Sequence, residues 1–177
     1  MKRIFAVVLL IALAGCGGNK LIPPSPGPKY LPSSTPLNVL RNMQIAYSTR
    51  DSTAYDSLFD AAYVGTSIDN TPPGPMLLSL TKADEVQHIG ALARQISISS
   101  VRLQFPPTLL RSRDVSDPQG WATIQLNSLI LEIDDTPATL SIGNSESMEF
   151  KFIPTAPAPG SPTDTTWHIV RWIEIAN

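Results

Sequence analysis

The feature that most narrows the fold of this chain is a pair of alternating hydrophobic rows that change parity partway along. After Gln95 apolar residues recur at every second position: Ile96 and Ile98, then Val101, Leu103 and Phe105. The phase slips at Ser99-Ser100. The same happens at Asn127-Ser128, between Ile124/Leu126 and Leu129/Leu131/Ile133. Successive side chains of a strand point to opposite faces, so a one-residue slip would turn a buried row toward water. An extra residue taken up as a β-bulge restores the row and bends the strand. Two slips therefore predict two long bulged strands and a sheet that curves sharply.

The residues before Gln95 read mainly as helices. Ser34-Thr35-Pro36 offers a hydroxyl cap followed by proline in the first helical turn. Val39, Leu40, Met43, Ala46 and Tyr47 then line one face at three- and four-residue spacing. Arg50-Asp51-Ser52 interrupts, and Tyr55, Leu58, Phe59 and Ala62 form the stripe of a second helix, so the two should pack as a hairpin. Tyr63 to Ile68 reads as a short strand, and Asn70 to Pro75 as a proline-rich loop. A third helix opens at Thr81, with Asp84 as its capping-box partner and Glu85 adding charge at the positive end of the helix dipole. Its stripe is read as Ala83, Val86, Ile89, Leu92 and Ala93.

Later, Leu140/Ile142 and Met148/Phe150/Phe152 share one parity, as one long strand or two pieces. Pro154 to Thr163 is a proline-rich loop. Trp167 to Ile175 is the last strand, with Trp167, Ile169, Ile173 and Ile175 on one parity and Arg171 the exception among them; Val170 and Trp172 fall on the other. The connections between late strands have no room for helical crossovers, so the sheet is expected to be antiparallel. The class is α+β: N-terminal helices packed on a strongly curved antiparallel sheet, a cone with a cavity.

The chain opens with Lys2-Arg3 and an apolar run from Ile4 to Ala14, too short for a permanent membrane span. Leu13-Ala14-Gly15-Cys16 resembles the lipobox of bacterial lipoproteins. The resemblance implies cleavage before Cys16 and acylation of that residue, the sole cysteine. Cys16 would then anchor the chain to the lipid bilayer. Gly17 in place of aspartate favours the periplasmic face of the outer membrane in a Gram-negative host. The organisation expected is a signal peptide at 1–15, a Pro/Gly/Ser-rich tether at 16–33 and one cone domain at 34–177. A stretch with Pro23, Pro24, Pro26, Pro28 and Pro32 is an extended spacer. Without the signal's two basic residues, 11 basic side chains face 15 acidic ones. Such a chain has no clustered cations for nucleic acid.

Thr35 to Met43, Ala46-Tyr47, Arg50-Asp51, Tyr55 and Leu58-Phe59 resemble the opening of nuclear-transport-factor-2-like (SnoaL-like, cystatin-like) domains. Trp167-His168-Ile169-Val170-Arg171-Trp172 resembles their last strand, with Glu174 one place later than the family's usual acid. The resemblance implies a cone fold and a pocket. It carries over no catalytic residue, because the motif around none of them matches.

The residues themselves exclude several chemistries. Cys16 would be spent on the anchor that the lipobox resemblance implies, Gly-x-Ser-x-Gly is absent, and His88 and His168 stand far apart without metal-ligand spacing. No cofactor and no metal are expected. Tyr47, Tyr55, Phe59, Trp121, Phe150 and Trp167 are candidate pocket-lining residues for a small apolar ligand. Arg171 is the anomalous charge, to be met by Asp134, by an anionic ligand or at a dimer edge. The outer sheet face, with Val170 and Trp172, is a candidate homodimer surface, and a protein partner is the other expectation. Acid chemistry would require Asp69, Glu132 or Glu149 to point inward; His88 is expected in solvent. The leading functional reading is a non-enzymatic binding or interaction module. The rivals are an isomerase- or dehydratase-like enzyme with an acid in the cone, and a structural accessory of the envelope. A buried acid beside a tyrosine in an open pocket would favour the enzyme.

Overall fold

A computed structural model of the chain describes residues 29–70, 76–143, 146–155 and 165–176. Residues 1–28, which hold the expected signal segment, Cys16 and most of the expected tether, lie outside the described residues, as do most of the two proline-rich loops. The element order is α1 (Pro36–Ser48), α2 (Ser52–Asp56), β1 (Phe59–Asp69), β2 (Met76–Thr81), α3 (Lys82–Arg94), β3 (Ile98–Gln104), β4 (Arg111–Ser112), β5 (Ala122–Leu126), β6 (Ile130–Asp135), β7 (Ala138–Gly143), β8 (Glu146–Thr155) and β9 (Thr166–Ala176).

α1 begins where the cap and proline place it. The Thr35 hydroxyl accepts from the Asn38 amide at 3.1 Å. Val39, Leu40, Met43, Ala46 and Tyr47 are all buried, against β3 and β9. Buried Asn42 on the same helix accepts from the Leu31 amide at 2.8 Å and donates to the Leu31 carbonyl at 2.7 Å. The Trp167 amide donates to the Ser33 carbonyl at 2.8 Å. Residues 29–33, read as the end of the tether, are thus held against the domain. α2 is shorter than its stripe suggests. Its backbone leaves the helix after Asp56, and Phe59 to Ala62 open β1, whose 11 residues replace the short strand expected at 63–68. Leu58 and Phe59 are buried all the same.

The strands form two sheets, ordered β2-β1-β9-β8-β5-β4 and β3-β6-β7. All pairings but one are antiparallel. β1 runs parallel to β9 because most of the domain lies between them in sequence, long enough for a crossover. The first parity slip is a bulge: the β3–β6 register shifts between Ile98 and Ser100, leaving Ser99 extra. The second corrects the expectation of one bulged strand. Between Leu126 and Ile130 the chain leaves the larger sheet for the smaller, and the reversal marks that change of partner. The stretch at 140–152 is likewise two strands, β7 and β8, in different sheets. β2 and the short β4 were not foreseen.

β9 carries a bulge as well. Lys151 pairs with Arg171 and Phe152 with Ile169, so Val170 is extra. Trp167 and Ile169 are buried on one side of the slip; beyond it the inward parity passes to Trp172 and Glu174. Val170 is itself buried, which removes both proposed dimer-face residues, Val170 and Trp172, from the outer surface. Arg171 faces outward, where its Nη1 donates to the Ala62 carbonyl at 2.9 Å. That carbonyl lies in the irregular part of β1, between Phe59 and Val64. Arg171 is a backbone clamp between two bulged strands. Asp134 is engaged elsewhere, by the hydroxyls of Ser100 and Thr139.

Candidate functional site

The two sheets and the helices enclose a cavity of about 420 Å³. Its apolar wall comes from α1 (Met43), β3 (Leu103, then Phe105), the sheet-to-sheet crossing (Leu129), β6 (Leu131, Ile133), β8 (Met148) and β9 (Trp172). Leu78 of β2 and Leu140 of β7 also line it, yet are 54% and 56% exposed. They form an apolar rim. The polar groups gather at the end built by α3, β1 and β9: Tyr63, Asp84, Glu85, His88 and Glu174, with Tyr47 of α1.

Glu85 lies at the centre of this polar end. Thr81 caps α3, and its backbone and hydroxyl both bond Asp84 Oδ2 (2.8 and 2.6 Å) in the foreseen capping box. That fixes the start of the helix, so the next residue turns inward, one turn before buried Ile89. Glu85 is only 7% exposed. Its Oε1 accepts from the Tyr63 hydroxyl at 2.8 Å and its Oε2 from the Tyr55 hydroxyl at 3.4 Å. Burial raises the pKa of this carboxyl; the two phenol bonds oppose the rise, and the charge of Asp84 adds to it. Burial likewise pushes the phenols of Tyr47, Tyr55 and Tyr63 up, with the negative charge of Glu85 second, so all three stay protonated donors. Glu174 adds to the rise at Tyr47 and Tyr63, which places its charge within reach of both.

Beside this group, the Tyr47 hydroxyl and His88 Nε2 are hydrogen-bonded at 2.9 Å. Burial lowers the His88 pKa, favouring the neutral ring. His88 was expected in solvent; it is exposed, but stands on the rim. Gly65 of β1 completes the floor. A β-carbon there would lie 2.6 Å from the Tyr63 hydroxyl and 3.3 Å from Glu85 Oε1. A glycine is needed for the strand to pass this close to the acid.

Of the aromatic candidates, only Tyr47 lines the cavity. Tyr55 is fully buried behind Glu85 and reaches the site through its hydroxyl. Phe59 is core, edge-on to Tyr55 and Tyr63 at 4.9 and 4.6 Å. Phe150 is fully buried behind Trp172, ring centres 5.0 Å apart. Trp167 is buried beneath Arg111 at 4.6 Å, and Trp121 is half-buried away from the cavity wall. Trp172 Nε1 is buried with no partner among the described residues. Of the other candidate acids, Glu132 pairs with Arg102 at 3.2 Å and Glu149 accepts from Gln125 at 2.9 Å, and Asp69, at the end of β1, does not line the cavity. His168 bonds Thr155 at the surface. Glu85 and Tyr63 were missed as site residues. The signal was present: Glu85, Ile89 and Leu92 share one helix face, so an acid occupies a core position.

Among the described residues no group of side chains could hold a metal ion, and no helix is long and apolar enough to cross a membrane. No protein-family profile matches the chain, and no curated protein matches it in sequence. Solved structures do match in shape. A nuclear-transport-factor-2-like superfamily protein of Salmonella enterica serovar Typhimurium is 11% identical, with 78% of this chain and 85% of that one aligned at a TM-score of 0.52. A protein of Novosphingobium aromaticivorans described as nuclear-transport-factor-2-like with a cystatin-like fold is 12% identical over 78% and 77%, TM-score 0.50. A proposed dehydratase of that family from Streptomyces avermitilis is 11% identical over 78% and 91%, TM-score 0.50. The fold is the nuclear-transport-factor-2-like α+β cone.

Proposed function

We propose that this chain is an exported protein, anchored to the bilayer through acylated Cys16, whose cone binds a small, mostly apolar molecule with one polar group. The observation that carries this reading is the cavity itself. A space of about 420 Å³ with apolar walls and polar groups at one end is the usual form of a small-molecule site. The apolar body of a ligand would leave water along Leu103, Leu131 and Ile133, and its polar group would meet the side chains around Glu85. Native mass spectrometry of the protein purified from its host tests the reading. One small molecule per chain, released on unfolding, is the expected result; a chain that is bare in repeated preparations counts against it.

Glu85 favours a second reading, proton transfer within the cone. A buried carboxyl whose pKa is raised by burial, within the cavity wall, is suited to general acid–base work. If the bound molecule is turned over in this way, incubation in heavy water places deuterium on one of its carbons. Glu85→Gln should abolish that exchange while binding persists. No exchange in the wild-type protein leaves binding as the activity.

A further inference from the structure

The charge balance of the cavity deepens the ligand-binding reading, on which this inference rests. Three acidic side chains, Asp84, Glu85 and Glu174, line the cavity, and no described lysine or arginine does. His88 adds no compensating charge, because burial favours its neutral ring. The donors nearest the acid are already used: the Tyr63 and Tyr55 hydroxyls both donate hydrogen bonds to Glu85. Trp172 Nε1, buried and without a hydrogen-bond partner among the described residues, has no exposed surface to offer a ligand. The hydroxyls of Thr66 and Ser67 can give or accept, so they do not discriminate. What the polar end offers an incoming group is therefore negative potential and acceptor oxygen, bordered by the rings of Tyr47, Tyr63 and Trp172.

We propose that the cone selects an organic cation, a small amine with an apolar body, with its ammonium group against Glu85 and its hydrocarbon part along the walls toward Leu78 and Leu140. Carboxylate, phosphate and sulfate amphiphiles are rejected. An anion would enter a low-dielectric space with like charges and find no cation to meet it. An ammonium gains charge-assisted hydrogen bonds to the carboxylate and attraction to the ring faces. Its only large cost is desolvation, which the carboxylate offsets. Asp84, ionised at the rim by its bonds to Thr81, extends the same preference to the entrance.

The test uses three probes of equal length and different head group: hexylamine, 1-hexanol and hexanoate. Each is titrated at pH 7 into the full chain labelled with nitrogen-15, and amide shifts report both site and affinity. The expected result is saturable shifts at Gly65 and Glu85, with hexylamine at least about tenfold tighter than hexanol and hexanoate weakest. In Glu85→Gln the amine and the alcohol should converge to within about twofold. Glu174→Gln, a separate variant, should narrow the gap without closing it. Hexanoate binding as tightly as hexylamine overturns the proposal, as does an amine preference unchanged in both variants. Equal binding of amine and alcohol to the wild-type chain overturns it too, while leaving the ligand-binding reading intact. Failure of all three probes to shift the cavity amides overturns both.

Discussion

Glu85 binds a proton more tightly in the folded chain than in the unfolded one, because burial penalises its charged form. For such an acid the folded state holds the extra proton between the ordinary carboxylate pKa and the raised one. Its contribution to stability is full below the unfolded value and is lost as pH rises through the folded value. Glu85→Gln keeps the shape and removes the titration. The variant should melt above the wild type at pH 7 and close to it at pH 4, as thermal unfolding across that range will record. A gap that is the same at both pH values would place Glu85 in a solvated setting. Lys151 on the outer face is a contrasting case. Burial pulls its ammonium down, yet bonds to Asp117 and Asp114 at 2.7 and 3.1 Å, with Glu149 beside them, leave its pKa raised. Asp114, held by the Ser116 amide and hydroxyl and by Lys151, sits at about 2. These bonds fasten the segment around 114–117 to β8. Lys151→Met should speed amide hydrogen exchange from Ser116 to Trp121 without altering exchange in α1.

At the scale of elements, α1 and the paired bulges determine the shape. Leu40 is fully buried on α1, and Leu40→Ala should cost about 2–5 kcal/mol in chemical denaturation, since a helix locked between β3 and β9 cannot collapse into the gap. A loss under about 0.5 kcal/mol would mean that the helix is not docked there. α1 was fully legible because its cap, its proline and five apolar positions agree on one face. The bulge at Ser99 was legible for a similar reason: a broken alternation has few physical remedies. The crossing at Asn127-Ser128 gives the same broken pattern, and spacing cannot tell a bulge from a change of sheet. β2 was missed because Met76-Leu77-Leu78-Ser79-Leu80 is nearly all apolar, with no period to read. Arg171 looked anomalous only while β9 was taken as regular. Once Val170 is counted as extra, the arginine is an outward residue holding the Ala62 carbonyl. Glu85 escaped notice because its place in the capping sequence gave it a sufficient surface role, although its spacing from Ile89 put it inside.

For the whole molecule, the curled sheets, the helical cover and the hollow between them stand as one structure, tied at residues 29–33 to the chain that leads toward Cys16. Each buried methylene of an acyl chain contributes about 0.8 kcal/mol to membrane binding, so several chains hold where one does not. Cys16→Ser should move the protein from the membrane fraction to the soluble one, and unchanged partitioning would refute the lipid anchor. The cone itself is tested most directly by a crystal structure of the protein purified from its host. The account predicts a curved pair of sheets with a small molecule inside, its polar group within hydrogen-bond reach of Glu85. A flat sheet, or a cone filled to the floor by its own side chains, would contradict it.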